Sequence, residues 1–161
     1  MADTETVNGT DITAATVTSA NTIPLANVNP STNVVAAHDL VVTTNATNGY
    51  TVYASYSGTL SDGLSHTIAD WTGTNGAPTT FASAGTSAFG YTTESTSLSG
   101  TSSRFSSNKW AKFESWNYEV ARATTKVSSD TTRIGYQVGV SGTQEAGTYI
   151  TTVILTATPT Y

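Results

Sequence analysis

The stretch RIGYQVGVS, residues 133–141, alternates between two kinds of side chain. One parity is apolar and comprises Ile134, Tyr136, Val138 and Val140. The other parity is small or polar and comprises Gly135, Gln137 and Gly139. Because successive side chains of a strand point to opposite faces, this alternation predicts a half-buried β-strand.

A second alternating stretch lies at residues 50–57. Its apolar parity comprises Tyr50, Val52, Ala54 and Tyr56, and the other parity comprises Thr51, Tyr53 and Ser55. The dipeptide Asn48-Gly49 before it is a turn signal, and residues 39–45 are extended and β-branched. We therefore predict a β-hairpin made of residues 39–45 and 50–57.

The segment 147–161 is the longest strand candidate, and it has apolar residues on both parities. One parity comprises Tyr149, Val153, Leu155 and Ala157, and the other comprises Ile150 and Ile154. This pattern predicts that part of the strand is covered on both sides. We expect it to pair with residues 131–141 across the loop 142–147.

The middle of the chain is less regular. Residues 88–93 predict a short strand, and residues 109–120 predict either an extended strand or a short helix followed by a strand. About eight short strands with closely spaced turns indicate an all-β fold, a single β-sandwich of immunoglobulin-like or jelly-roll type. We assign residues 21–161 to this sandwich and residues 1–20 to an N-terminal extended arm.

The composition narrows the function classes. Threonine and serine together fill 53 of 161 positions, charged residues make up 11%, and cysteine is absent. The lack of cysteine excludes disulfide scaffolds and thiolate chemistry, and a formal net charge of −5 argues against a nucleic-acid partner. No apolar run approaches the about 20 residues that a membrane span needs.

The first residues and the low lysine content favour a secreted, extracellular protein at the cell surface. Met1-Ala2-Asp3 indicates an initiator methionine before a mature chain that starts near Ala2. All six basic residues lie within 104–133, whereas residues 1–103 carry only acidic charges. Either strands from both halves mix the two signs, or the molecule is polar and its subunits attract one another head to tail.

Catalytic clusters are weak in this sequence. Asp62, His66 and Asp70 are spaced four apart, which would align them on a helix but not in a strand-rich region. Glu114 and Glu119 could form a carboxylate pair for glycoside hydrolysis, but their neighbours Lys112 and Arg122 indicate surface pairing instead. We therefore predict that the protein is not an enzyme and has no catalytic, cofactor-binding or metal-binding residue.

The aromatic residues offer a different hypothesis. A platform on which sugar rings could stack would be formed by Trp71, Trp110, Trp116 and Tyr118. The competing interpretation is that these rings fill the core of a small sandwich, with their N–H and O–H groups satisfied at its edge.

Four stretches carry a resemblance to known proteins. They are HDLVVTTNATNGYTVYASYSGTL (38–60), AFGYTTES (88–95), NKWAKF (108–113) and the C-terminal segment 133–161. They resemble a family of secreted, Thr-rich β-sandwich surface proteins of small-genome bacteria. The resemblance implies an extracellular β-sandwich and transfers no catalytic residue. A looser similarity, at the level of the fold, links the chain to camelysin-like and donor-strand fibre subunits.

That similarity directs attention to the N-terminal arm, whose candidate assembly residues are Asp11, Ile12, Ala14, Thr16 and Val17. An arm of this kind can add a strand to an open sheet edge of a neighbouring subunit, or it can pair as an edge strand within its own domain. We therefore expect a structural subunit of an extracellular filament, pilus-like fibre or cell-surface layer, whose partner is another copy of itself. The alternative is a cell-surface adhesin or carbohydrate-binding module that binds glycans through exposed aromatic residues.

Overall fold

The structure is a computed structural model that describes residues 5–14 and 21–161. The described residues form ten β-strands and no helix, which confirms the all-β class. The strands are β1 (Thr6–Val7), β2 (Thr10–Asp11), β3 (Val34–Thr44), β4 (Tyr50–Tyr56), β5 (Leu60–Ser61), β6 (Thr67–Ile68), β7 (Ala88–Thr93), β8 (Tyr118–Ala123), β9 (Val127–Gly139) and β10 (Val153–Pro159). Four of the ten have only two residues, so the six longer strands determine the architecture.

The long strands form two antiparallel three-stranded sheets, with strand orders β10-β4-β8 and β3-β9-β7. The short strands form two further pairs, β1-β2 and β5-β6. Both three-stranded sheets contribute side chains to one hydrophobic cluster, including Val52 and Val120 from the first and Phe89 and Tyr136 from the second. Burial of these shared apolar side chains is the main favourable contribution to folding.

Phe113 lies at the centre of the aromatic part of this core. Its ring centroid is 4.8 Å from that of Phe89, 4.9 Å from that of Tyr91 and 5.9 Å from that of Tyr136. Offset and tilted ring pairs at these distances add to the free energy gained from burial alone. The segment before β8 is thus held in the core by one ring, and Tyr118 enters the same cluster at the start of β8.

The C-terminal half of β9 is buried on both faces, so the prediction of a half-buried strand at residues 133–141 is wrong. Every residue from 134 to 140 is buried. The glycine parity faces a second cluster, which comprises Val7, Val35, Phe81, Ala88 and Trp110. A Cβ atom placed on Gly135 would lie 2.7 Å from Val7 Cγ1, so the glycine is where the N-terminal segment packs against the sheet.

The predicted hairpin is also wrong, because its two strands lie in different sheets. Strand β3 pairs with β9, and β4 pairs with β8 and β10. Gly49 has a φ of 78°, and a Cβ there would lie 2.2 Å from the carbonyl oxygen of Ala123. The Asn48-Gly49 turn therefore leads the chain from one sheet to the other.

The C-terminal strand also differs from its prediction. Strand β10 pairs with β4 rather than with residues 131–141. Val153 and Leu155 are partly buried against the core, but Ile150 and Ile154 are exposed, so the strand is not covered on both sides. The apolar side chains of Ile150 and Ile154 predict a second covering layer, but no described segment covers that face of the strand.

Candidate functional site

The described part of the predicted N-terminal arm pairs with its own chain. The backbone N–H groups of Thr13 and Ala14 donate to the carbonyl of Val35 at 3.0 and 2.8 Å, and Ile12 N–H donates to Glu5 at 2.8 Å. Asp11 is paired with Thr6 in the β1-β2 ladder. The other two candidate assembly residues, Thr16 and Val17, lie outside the described residues.

Side chains anchor the same segment. Val7 is fully buried in the second cluster. The Asn8 side chain donates to Thr92 Oγ1 at 2.7 Å and to the Thr93 carbonyl at 2.8 Å. Arg133 Nη1 donates to the Thr6 carbonyl at 3.2 Å. Residues 5–14 therefore pair within their own chain, which is one of the two alternatives for this part of the arm.

Three of the four outer sheet edges are covered or interrupted. The outer side of β7 is bridged at Phe89 and Tyr91 by flanking segments. On β8, the carbonyl of Val120 accepts a hydrogen bond from Thr93 Oγ1. On β3, the carbonyl of Val35 accepts hydrogen bonds from the N-terminal segment. A register shift in the pairing with β9 follows between Val42 and Thr44. Covering segments and bulges block edge pairing where they lie. On β3 they leave the outward backbone groups between Val35 and Val42 without a backbone partner among the described residues.

The fourth edge, the outer side of β10, is open. The backbone groups of the even-numbered residues face β4 and its flanks, as shown by Ser57 N–H donating to Thr152 at 2.9 Å and Thr160 N–H donating to Gly49 at 2.9 Å. Hydrogen-bonding direction alternates along an antiparallel strand, so the odd-numbered residues point outward. These are Val153, Leu155, Ala157 and Pro159. Of the residues that the structure describes, none forms a strand on that side.

This edge has few of the charged or proline residues that usually prevent an edge strand from pairing with another chain. Residues 146–161 contain no charged side chain. Ile154 is 52% exposed on the solvent face of the sheet, and Pro159 is the single residue that interrupts the outward N–H groups. An uncharged edge strand with exposed apolar side chains is a template for pairing with another chain.

A groove of about 650 Å³ lies beside the same sheet. Its lining includes Thr51 and Tyr53 of β4, Glu119 and Arg122 of β8, and Trp116 from the segment before β8. The register places Thr51 opposite Arg122 and Tyr53 opposite Glu119. The two strands therefore bring these four side chains together at the groove.

One wall of the groove is a polar network centred on Arg104 and Glu119. Arg104 donates to the carbonyls of Asn75, Ser99 and Thr101 and to the side-chain oxygen of Asn75. Glu119 accepts from the backbone N–H of Ser99 at 2.9 Å and from its hydroxyl. These hydrogen bonds hold the wall in place. Glu119 Oε1 is buried without a hydrogen-bond partner and lies 3.7 Å from Arg122 Nη1.

The carboxylates predicted to be surface-paired are paired as expected. Lys112 Nζ lies 3.5 Å from Glu114, and Arg122 Nη1 lies 3.7 Å from Glu119, which confirms the pairing. Glu119 is buried, however, so this pair does not lie on the open surface. Elsewhere, His66 Nδ1 lies 2.6 Å from Asp62, and this hydrogen bond, together with those from the backbone N–H groups of Leu64 and His66, lowers the pKa of Asp62 to about 2. Within residues 5–14 and 21–161, no three acidic or histidine side chains converge on a metal site.

The four aromatic residues of the predicted platform do not share a surface. Trp110 is fully buried and Tyr118 is 5% exposed, so both belong to the core. Trp71 is partly buried, with its ring 5.0 Å from that of Phe81. Trp116 alone of the four is largely open, at 63% exposure. The platform is thus corrected to one tryptophan at the rim of the groove.

Sequence reasoning missed Tyr53 and Arg122, which line the same groove as Trp116. Tyr53 lies on the polar parity of residues 50–57, where a large aromatic side chain faces solvent, and that was an available signal. The position of Arg122 depends on the register shift between Val52 and Tyr53 in the β4-β8 pair. A bulge of this kind has no clear signature in the local sequence.

Comparison with known proteins yielded no relative. No protein-family model matches the chain, and neither the curated proteins nor the solved structures contain a match. Among the described residues there is no helix long and apolar enough to cross a lipid bilayer.

Proposed function

We propose that the protein is a structural subunit of an extracellular assembly, such as a filament, a pilus-like fibre or a cell-surface layer, built by β-strand pairing between copies. The observation that carries this proposal is the open, uncharged outer edge of β10. The pairing element is therefore the C-terminal strand and not residues 5–14, whose backbone is engaged within the chain.

The architecture and location form part of the same proposal. Two three-stranded sheets that share one hydrophobic cluster are what a β-sandwich would present. Low charge and the absence of cysteine suit a durable protein at the cell surface, as does the resemblance to secreted Thr-rich surface proteins. With few charges, neighbouring copies repel one another little at close contact.

Symmetry determines which edges would meet in a filament. If the β10 edges of two copies pair with each other, the contact is isologous and closes at a dimer. A growing fibre needs two different edges, and β3 beyond Val35 is the second available one. The backbone groups of Ala37, Asp39 and Val41 share the outward direction of Val35. We propose that β10 of one copy pairs with this part of β3 in the next.

The energetics fit a reversible contact. Each hydrogen bond formed across the edges adds about 0.5–1.5 kcal/mol. Burial of the exposed side chains Ile154 and Val41 adds the hydrophobic contribution. Each single contact is weak, so we expect assembly to depend strongly on protein concentration.

The test uses the full chain and two edge variants. Ile154→Lys places a charge on the edge strand, and Ala157→Pro removes an outward N–H group without removing a bond to β4. Leu64→Lys, at a site that is 79% exposed in another loop, is the matched charge control. Sedimentation velocity and negative-stain microscopy over a concentration series measure assembly.

We expect assemblies from the wild type and from Leu64→Lys, and monomers from both edge variants at unchanged thermal stability. A wild type that stays monomeric at every concentration would overturn the proposal. Assembly by Ile154→Lys and Ala157→Pro at the wild-type concentration would overturn the choice of β10.

A further inference from the structure

The groove beside Trp116 has the features of a ligand site, independently of the assembly edge. Phe113 and Tyr118 on either side of this residue are buried in the core, whereas Trp116 has 63% of its surface in water. Leaving so large an apolar ring in water forgoes the free energy of burial. An exposed aromatic ring at the rim of a concave polar site provides a stacking surface with hydrogen-bonding groups close by.

The groove also contains polar groups that the protein does not use. Thr51, Tyr53 and Asn117 line it, and their side chains have no hydrogen-bond partner within the described part of the chain. In contrast, Asn75 and Arg104 in the wall bond to one another and to backbone carbonyls. The site therefore combines a fixed wall with three free hydroxyl or amide groups, which suit a ligand rich in hydroxyl groups.

The charges around the groove cancel. Its lining has two arginines, Arg104 and Arg122, and two glutamates, Glu114 and Glu119. Arg122 is paired with Glu119, and Glu114 is paired with Lys112. This balance provides no net attraction for a strongly anionic or cationic ligand, so it favours a neutral one.

From these observations we propose that the groove binds a neutral oligosaccharide of pyranose rings. Trp116 stacks on the C–H face of one ring, and Thr51, Tyr53 and Asn117 bond to hydroxyl groups of that ring and its neighbour. Rings with equatorial hydroxyl groups present such a flat C–H face, so the class is gluco-configured. The volume of about 650 Å³ lies within the range of small-ligand pockets, which fits a short segment of chain.

The test measures binding of two neutral probes, cellohexaose and N-acetylchitohexaose, by isothermal titration calorimetry. These probes differ in the substituent at carbon 2 of each ring, so the comparison assigns the sugar. An oligomer of alginate serves as the anionic probe. The Ile154→Lys variant is titrated alongside the wild type, so that loss of assembly and loss of binding are distinguished.

We expect saturable binding of at least one neutral probe by both proteins. Trp116→Ala should weaken that binding by at least about tenfold, and Asn117→Ala by about threefold to tenfold. Leu64→Ala removes another exposed apolar side chain, outside the groove, and should bind as the wild type does. Both groove variants should keep the wild-type unfolding temperature, because the two side chains are exposed.

Three results would overturn the inference. The first is that neither neutral probe binds. The second is unchanged binding in both Trp116→Ala and Asn117→Ala. The third is tighter binding of the alginate oligomer than of either neutral probe, which would contradict the charge argument.

Discussion

Strands β9 and β10 are the clearest strand predictions of the sequence, yet the fold uses them in opposite ways. Strand β9 has a neighbour on each side, and its C-terminal half is buried on both faces. Strand β10 has one neighbour, and most of its residues from Thr156 onward are exposed. Alternation therefore identifies a strand but not the number of its neighbours. That number separates a core strand from a strand with an open edge.

The largest loss of stability is expected from a substitution in the core part of β9. Val138 is 1% exposed in the main cluster. Truncating it removes apolar contacts and leaves a cavity, so Val138→Ala should lower the free energy of unfolding by about 2–4 kcal/mol. Urea denaturation measures this. A loss below about 0.5 kcal/mol would mean that β9 is not the centre of the core.

The second prediction tests the close packing of the N-terminal segment against Gly135 in β9. Gly135→Ala would place a Cβ 2.7 Å from Val7 Cγ1 and 2.9 Å from Thr92 Cγ2, which should cost about 1–3 kcal/mol. The Val7→Ala substitution frees that space, so the double variant should lose less stability than the two single variants together. Strict additivity in denaturation experiments would contradict the packing of residues 5–14 on this strand.

The third prediction concerns the pH dependence of the neighbouring strand β3. His38 stacks on Tyr136 of β9 with a centroid distance of 5.6 Å, and burial lowers its pKa from 6.5, against the opposing effect of Asp39. A lowered pKa in the folded state means that the unfolded chain binds the proton more readily. The contribution of neutral His38 to the free energy of unfolding should therefore be fully present above pH 6.5. It should be lost as the pH falls from 6.5 through the lower pKa of the folded state.

Thermal unfolding at a series of pH values measures this dependence, with His38→Gln as the control. The variant should lose the decline that begins below pH 6.5. An identical decline in wild type and variant would assign the pH dependence to other groups.

The smallest effect lies on β10. Ile154→Ala removes as much apolar side chain as a typical core truncation, but the site is 52% exposed. We expect a loss of less than about 1 kcal/mol, measured by urea denaturation in dilute, monomeric protein. If Ile154→Ala lowered the free energy of unfolding as much as Val138→Ala, β10 would be as important for the core as β9.

The sequence was sufficient to locate the main strands but not to predict which strands pair with each other. The alternation of residues 50–57 and 133–141 and the short strand at 88–93 were correctly identified, because side-chain parity is a local property. Pairing is not local, and Asn48-Gly49 predicted a hairpin although the turn joins two different sheets. The glycine parity of β9 predicts a solvent face, whereas the lack of a side chain at Gly135 and Gly139 allows close packing.

The candidate sites were predicted in fragments. Trp116 was named for its residue type, but its three companions in the predicted platform lie elsewhere, because ring size alone does not distinguish core from surface. The open edge of β10 depends on which strands are absent beside it. No local pattern in residues 147–161 encodes that absence.

Backbone hydrogen exchange along β10 tests the assembly edge most directly. In dilute protein, the amides of Val153, Leu155 and Ala157 should exchange rapidly, while those of the intervening residues that face β4 are protected. At concentrations that give assemblies, the three outward amides should become protected as well. If they exchange at the same rate in dilute and concentrated protein, β10 is not the strand through which copies associate.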